Sequence, residues 1–96
     1  MSKTISIIQK EKCCYFCGRT TNLELHHVFE GTANRKLSDE DGLVVWLCYD
    51  HHRGNFGVHF NKDYALRLKK IAERVWLAKN KKKIKDFIDR YGKNYL

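Results

Sequence analysis

The chain has no proline. A proline-rich linker or recognition segment is therefore excluded. It also lacks any apolar run of the roughly 18 residues needed to cross a bilayer, so a membrane partner is not expected. The opening MSKTISIIQKEK has no apolar stretch followed by a small-residue cleavage site. It does not read as a secretory signal, and the expected compartment is the cytoplasm. Acidic residues are scarce: 11 Asp and Glu face 19 Lys and Arg, a net charge of +8. That imbalance points to an anionic partner such as nucleic acid. With 43% hydrophobic and 12% aromatic residues, the composition is not that of a disordered tail. At 96 residues there is room for one domain, 1–96. Folding of so short a chain buries only about 60–65% of its surface, so its core is thin. Domains of this size often need a staple.

The four Cys and five His are candidate staples. In a reducing compartment metal binding outranks disulfides. Cys14-Tyr15-Phe16-Cys17, followed by Gly18, reads as a zinc knuckle. Two thiolates three apart grip one ion across a tight turn, and glycine lets the chain reverse. Cys48-Tyr49-Asp50-His51 repeats the spacing with His in the last place. Together these predict a Cys₃His site of Cys14, Cys17, Cys48 and His51, holding structural Zn²⁺. The rival reading makes Cys48 an ordinary buried cysteine after the apolar run 43–47. Cys13 fits the spacing less well than Cys14 and reads as a spare thiol.

Residues 1–12, with Ile5, Ile7 and Ile8, read as a frayed arm or an edge strand. Residues 23–29 have strand composition, 30–42 read as a long polar loop of the kind that is usually functional, and 43–47 are the clearest strand. Gly54 and Gly57 argue against a long helix after His51. Asn61 can cap a helix from about 62 to 79 with Tyr64, Leu68, Ile71, Val75 and Ala78 as its apolar stripe. A second helix, roughly 81–91, would bury Ile84, Phe87, Ile88 and Tyr91 and stop at Gly92. Trp46, Phe56 and Phe60 read as core. The expected class is α+β, with a knuckle and metal core over 13–60 and a helical extension over 61–92.

Beyond the zinc ligands, His26 and His27 close the first strand and His52 follows the second half-site. His59 is the fifth. Imidazole serves both as a metal ligand and as a base near neutral pH. The order of knuckle, strand ending in HH, loop, strand, half-site and short helix resembles the HNH nucleases. The match runs from Cys14 to His59. It is similar above all to small phage-encoded HNH proteins related to the recombination-enhancement nuclease, in the phrases LHHVF, GLVVWLC and HHRGNFGVHF.

The resemblance implies a ββα-metal core and a metal-dependent endonuclease hydrolysing phosphodiester bonds in DNA. It implies that His26 binds the catalytic metal (Mg²⁺, Mn²⁺ or Zn²⁺), that His27 is the general base, and that His52 is a second ligand. His59 would be a further ligand or a phosphate contact, with Asn55 as its rival. The family's central Asn has no counterpart, since Leu43 stands there; Asn34 or Asn55 would replace it. A phage protein of this kind would act in the host cytoplasm, with phage or host recombination or packaging proteins as further partners.

Arg35, Lys36 and Arg53 are candidates for charge on the scissile phosphate. Lys79, Lys81, Lys82 and Lys83 lie in a run that tracks phosphates or is simply a solvated face. The competing function is a zinc-stabilised nucleic-acid-binding module that cuts nothing. A thiol oxidoreductase is disfavoured, because no βαβ pattern surrounds Cys14.

Overall fold

The structure, a computed structural model, describes residues 6–54, 57–59 and 61–96. Ile5, Asn55, Phe56 and Phe60, each named above, lie outside the described residues. Six elements follow in order: β1 (Leu23–His27), α1 (Thr32–Asp41), β2 (Val44–Cys48), α2 (Tyr49–His52), α3 (Lys62–Asn80) and α4 (Ile84–Tyr91). The class is α+β. Among the described residues no helix is long and apolar enough to cross a membrane.

β1 and β2 pair antiparallel, with Leu23 opposite Cys48 and His27 opposite Val44. β2 is the apolar run, and Val44, Val45, Leu47 and Cys48 are all buried. Its outer edge is not left open. Ile7 N–H donates to Gly42 O at 2.9 Å, Trp46 N–H to Gln9 Oε1 at 2.8 Å, and Tyr15 N–H to Trp46 O at 2.9 Å. The arm thus covers an edge that would otherwise invite pairing with another chain, though its described part forms no strand. Trp46 is half-buried, with the Lys12 ammonium 4.6 Å from its ring centre.

The stretch 30–42 is not a loop. Its centre is α1, bracketed by Gly31 and Gly42, with φ of 92° and 74°. Glycine reaches such angles at the least steric cost. Gly42 ends the helix in the left-handed conformation, its N–H bonded to Ser38 O. The sequence TANRKLSDED hides the helix because its inward-turned residues, Asn34, Leu37, Ser38, Asp39 and Asp41, are polar in all but one case and show no apolar period. Ser38 is fully buried, and its Oγ accepts from Phe29 N–H at 3.1 Å and donates to Phe29 O at 3.3 Å.

Asn61 caps α3 as expected, its side chain accepting from Asp63 and Tyr64 N–H. The buried stripe is Leu68, Ala72 and Trp76, with Glu73 beside it; Ala78 is exposed. On α4 the core side is Phe87 and Tyr91, whereas Ile84 and Ile88 are 42% and 39% exposed. Four of the expected apolar positions thus split into an inner and an outer pair. The inner pair stacks on Phe29, with ring centres 5.4 and 4.7 Å away. Gly92 ends α4 with φ of 87°.

Asp41, the last residue of α1, ties the helices together. It accepts from Trp76 Nε1 at 3.1 Å, Arg90 Nε at 2.6 Å and Tyr91 Oη at 2.6 Å, while its second oxygen accepts from Arg90 at 2.8 Å. Burial, then the Asp41 carboxylate, pushes the Tyr91 hydroxyl far above its ordinary value. Asp41→Ala is expected to cost about 1–3 kcal/mol, because it leaves the Trp76 and Tyr91 donors unpaired and leaves Arg90 with its longer pairing to Glu40. Urea unfolding of the two proteins checks this.

Candidate metal centre and its pocket

The knuckle is built by backbone bonds. Gly18 N–H donates to Cys14 O at 2.8 Å and Cys14 N–H to Arg19 O at 2.7 Å. Gly18 takes the positive φ of 78° that the reversal requires. β2 then delivers Cys48, and α2 begins at the next residue. Cys14, Cys17, Cys48 and His51 come together with one ligand atom each and could hold a metal ion. The Cys17 and Cys48 sulfurs are 3.7 Å apart, and His51 Nδ1 lies 3.2 Å from Cys48 Sγ and 3.7 Å from Cys14 Sγ.

Burial pushes the Cys14 thiol up, but backbone N–H groups of Cys48, Cys17 and Phe16 outweigh it and hold it below the ordinary value. At Cys17 the Arg19 backbone lowers the value, but burial and the neighbouring sulfurs prevail and raise it. Crowded sulfurs of this kind repel as thiolates unless a cation lies between them. Cys13 stands apart, half-buried and in contact with the Gln9 amide at 3.7 Å.

A second cluster forms on the other side of α2. Strand alternation separates His26 from His27 across β1, but the strand ends at His27 and both line one cavity. His26 turns inward, 4% exposed, and meets His52 and His59 at ring-centre distances of 5.2 and 5.7 Å. His52 Nε2 and His59 Nε2 are 3.1 Å apart. All three offer nitrogens within 4.8 Å of one another and could hold a metal ion. Gly57 makes the return to His59 possible. A Cβ there would sit 2.6 Å from the His52 carbonyl. The two glycines limit α2 to four residues, as the sequence suggests.

Burial, reinforced by the charges of His52, His59, His27 and Lys69, pushes His26 down to about 3. The imidazole stays neutral, the form that binds metal. Between about pH 6.5 and 3 the unfolded chain takes up a proton at this position that the native chain does not. Stability is therefore expected to fall as pH drops through that window, by up to about 1.4 kcal/mol per unit from this group. Urea midpoints measured from pH 7 to 4 should show the decline, and His26→Gln should flatten it.

Glu24 was not singled out by sequence, yet it sits two residues before His26 on the same strand face. Its Oε1 lies 2.8 Å from His52 Nδ1 and 3.1 Å from Arg53 Nε. The hydrogen bond from His52, ahead of the charge of Arg53, holds the Glu24 carboxyl below its usual range. A carboxylate behind a ligating imidazole fixes its tautomer and raises its basicity. Glu24→Gln is expected to weaken metal binding at the imidazole cluster about 10–100-fold. Calorimetric titration of the metal checks this.

The cluster faces a cavity of about 330 Å³ lined also by His27, Glu30, Arg35 and Arg53. His27 belongs to neither cluster; its Nε2 lies 3.1 Å from Asp39 Oδ1 on α1. A neighbouring depression joins His27, Asp39, Arg35 and Lys36. The structure thus brings Arg35 and Arg53 to the histidines and Lys36 alongside. Lys79 in the last turn of α3 and Lys81, Lys82 and Lys83 in the turn between α3 and α4 are exposed and do not line this cavity. Asn34 donates to Tyr91 O at 3.3 Å, away from His27. Leu43 is core.

Family models, curated proteins and solved structures yield no match to this chain. The reading of the site rests on its own geometry.

Proposed function

We propose that the protein is a metal-dependent HNH endonuclease that hydrolyses phosphodiester bonds in DNA. The observation that carries this is the three-imidazole cluster of His26, His52 and His59 at a cavity that also holds His27 and two arginines. Four ligands close a structural site, whereas three leave a position for water or substrate. In this reading Cys14, Cys17, Cys48 and His51 bind structural Zn²⁺. Tetrahedral zinc with Zn–S near 2.3 Å sets sulfurs about 3.8 Å apart, close to the 3.7 Å between Cys17 and Cys48. The resulting knuckle, hairpin and α2 would be the ββα-metal core that the sequence resembles.

His26, His52 and His59 would hold a divalent ion, which when bound would supply Lewis-acid charge to the phosphoryl group. An all-nitrogen donor set suits a transition ion better than Mg²⁺. His27 takes a proton from water, and the hydroxide forms a bond to phosphorus. The bond to the leaving oxygen breaks, and solvent protonates that oxygen. Arg35 and Arg53 neutralise the phosphate, and the +8 net charge draws the strand in.

Supercoiled plasmid, offered to metal-stripped protein with Mg²⁺, Mn²⁺, Ni²⁺ or Zn²⁺ added singly, tests the reading. Nicking that needs the added ion is the expected result. Retention of DNA without nicking by any of the four would instead make the protein a zinc-stabilised binding module.

A further inference from the structure

The resemblance offers Asn34 or Asn55 in place of the Asn expected at Leu43; Asn34 is engaged with Tyr91, and Asn55 lies outside the described residues. The structure offers another group. Asp39 Oδ1 lies 3.1 Å from His27 Nε2. An ionised carboxylate only accepts hydrogen bonds, so Nε2 carries the hydrogen and Nδ1 keeps its lone pair.

The carboxylate is held by a fixed element. On one side of it, fully buried Ser38 exchanges hydrogen bonds with both backbone groups of Phe29, two residues beyond His27. On the other, Asp41 is locked to Trp76, Arg90 and Tyr91. α1 cannot slide relative to the end of β1 without breaking these bonds. The distance between Asp39 and His27 is therefore set from both sides.

We infer that Asp39 is the positioning residue of the general base, holding His27 with its unprotonated Nδ1 available to water. This rests on the nuclease reading above. The carboxylate does two things there. It selects the tautomer that can accept a proton, and it stabilises the imidazolium formed once the proton has moved, as the buried aspartate does in serine-protease triads. Asparagine at this position can donate its amide to Nε2 and so favour the opposite tautomer, with Nδ1 blocked by hydrogen.

The test compares the parent, Asp39→Asn, His27→Ala and the double variant under single-turnover conditions at saturating DNA. Asp39→Asn is expected to cut on the order of 10²-fold more slowly, with DNA affinity and zinc content unchanged. The double variant should be no slower than His27→Ala alone, because Asp39 acts only through His27. A parent-like rate for Asp39→Asn, or losses that multiply in the double variant, overturns the inference.

If the parent itself cuts nothing, the nuclease reading has failed. If the parent cuts and His27→Ala does not, while Asp39→Asn matches the parent, only the role of Asp39 has failed. Imidazole ¹⁵N chemical shifts give a readout independent of cleavage. At pH 8 the parent should show His27 protonated at Nε2, and Asp39→Asn should shift hydrogen to Nδ1. A parent already protonated at Nδ1 overturns the inference.

Discussion

Cys48→Ser is expected to abolish the cooperative fold. Cys48 is 1% exposed, ends β2, begins α2, and lies within 3.7 Å of Cys17 Sγ and 3.2 Å of His51 Nδ1. Structural zinc contributes apparent free energies of about 10–16 kcal/mol to small domains. Net stabilities are only about 5–15 kcal/mol. The thin core of this chain has no reserve of that size. Circular dichroism should show no cooperative thermal transition, and elemental analysis should show less than one zinc per chain. Cys13→Ser, a change to a side chain whose contact among the described residues is Gln9, should keep both the transition and the metal. A Cys48→Ser protein with the parent's melting curve and zinc content would remove zinc from the account of the fold.

If the protein is the nuclease proposed above, His27→Ala is expected to lose about 10²–10⁴ in cleavage rate, the usual worth of a general base. It should do so without loss of zinc, fold or DNA affinity, because His27 belongs to neither ligand cluster. His52→Ala should behave differently. His52 joins the imidazole cluster and is bonded to Glu24, so its removal should weaken metal binding as well as cleavage. Plasmid nicking and metal titration, run on both variants, separate a base from a ligand. Unchanged nicking by His27→Ala across the four ions would assign the base elsewhere.

The parts of the site that sequence reveals are those set by short spacing. Cys14-x-x-Cys17 and Cys48-x-x-His51 are each fixed within one turn, so the four ligands could be read directly. His26 and His52 follow because one lies in the histidine pair that closes β1 and the other directly follows the second half-site. Glu24 was also within reach, since period-two alternation places it on the face of His26. Asp39 and Ser38 were not. They belong to a helix whose inward face is almost wholly polar, and their partners His27 and Phe29 lie across a turn with no periodic signal. The same limit explains α4. Its sequence has four apolar residues at helical spacing, but nothing in that spacing says that Phe29 and Trp76 cover only Phe87 and Tyr91. The lysine run was legible as charge, and its distance from the histidine cavity was not.

α2 is four residues long and ends in two histidines that serve different clusters, His51 the sulfur-rich one and His52 the imidazole one. Consecutive side chains on so short an element cannot be aimed independently. Any ion that orders His51 also fixes the backbone from which His52 projects, so part of the entropy cost of the second site is already met. The two sites are then thermodynamically linked, and reciprocity requires each ion to raise the affinity of the other by the same factor. A chain loaded at the sulfur-rich cluster would be a better receptor for the second ion than the metal-free chain. Completion of the fold and assembly of the proposed cutting centre would thus favour one another.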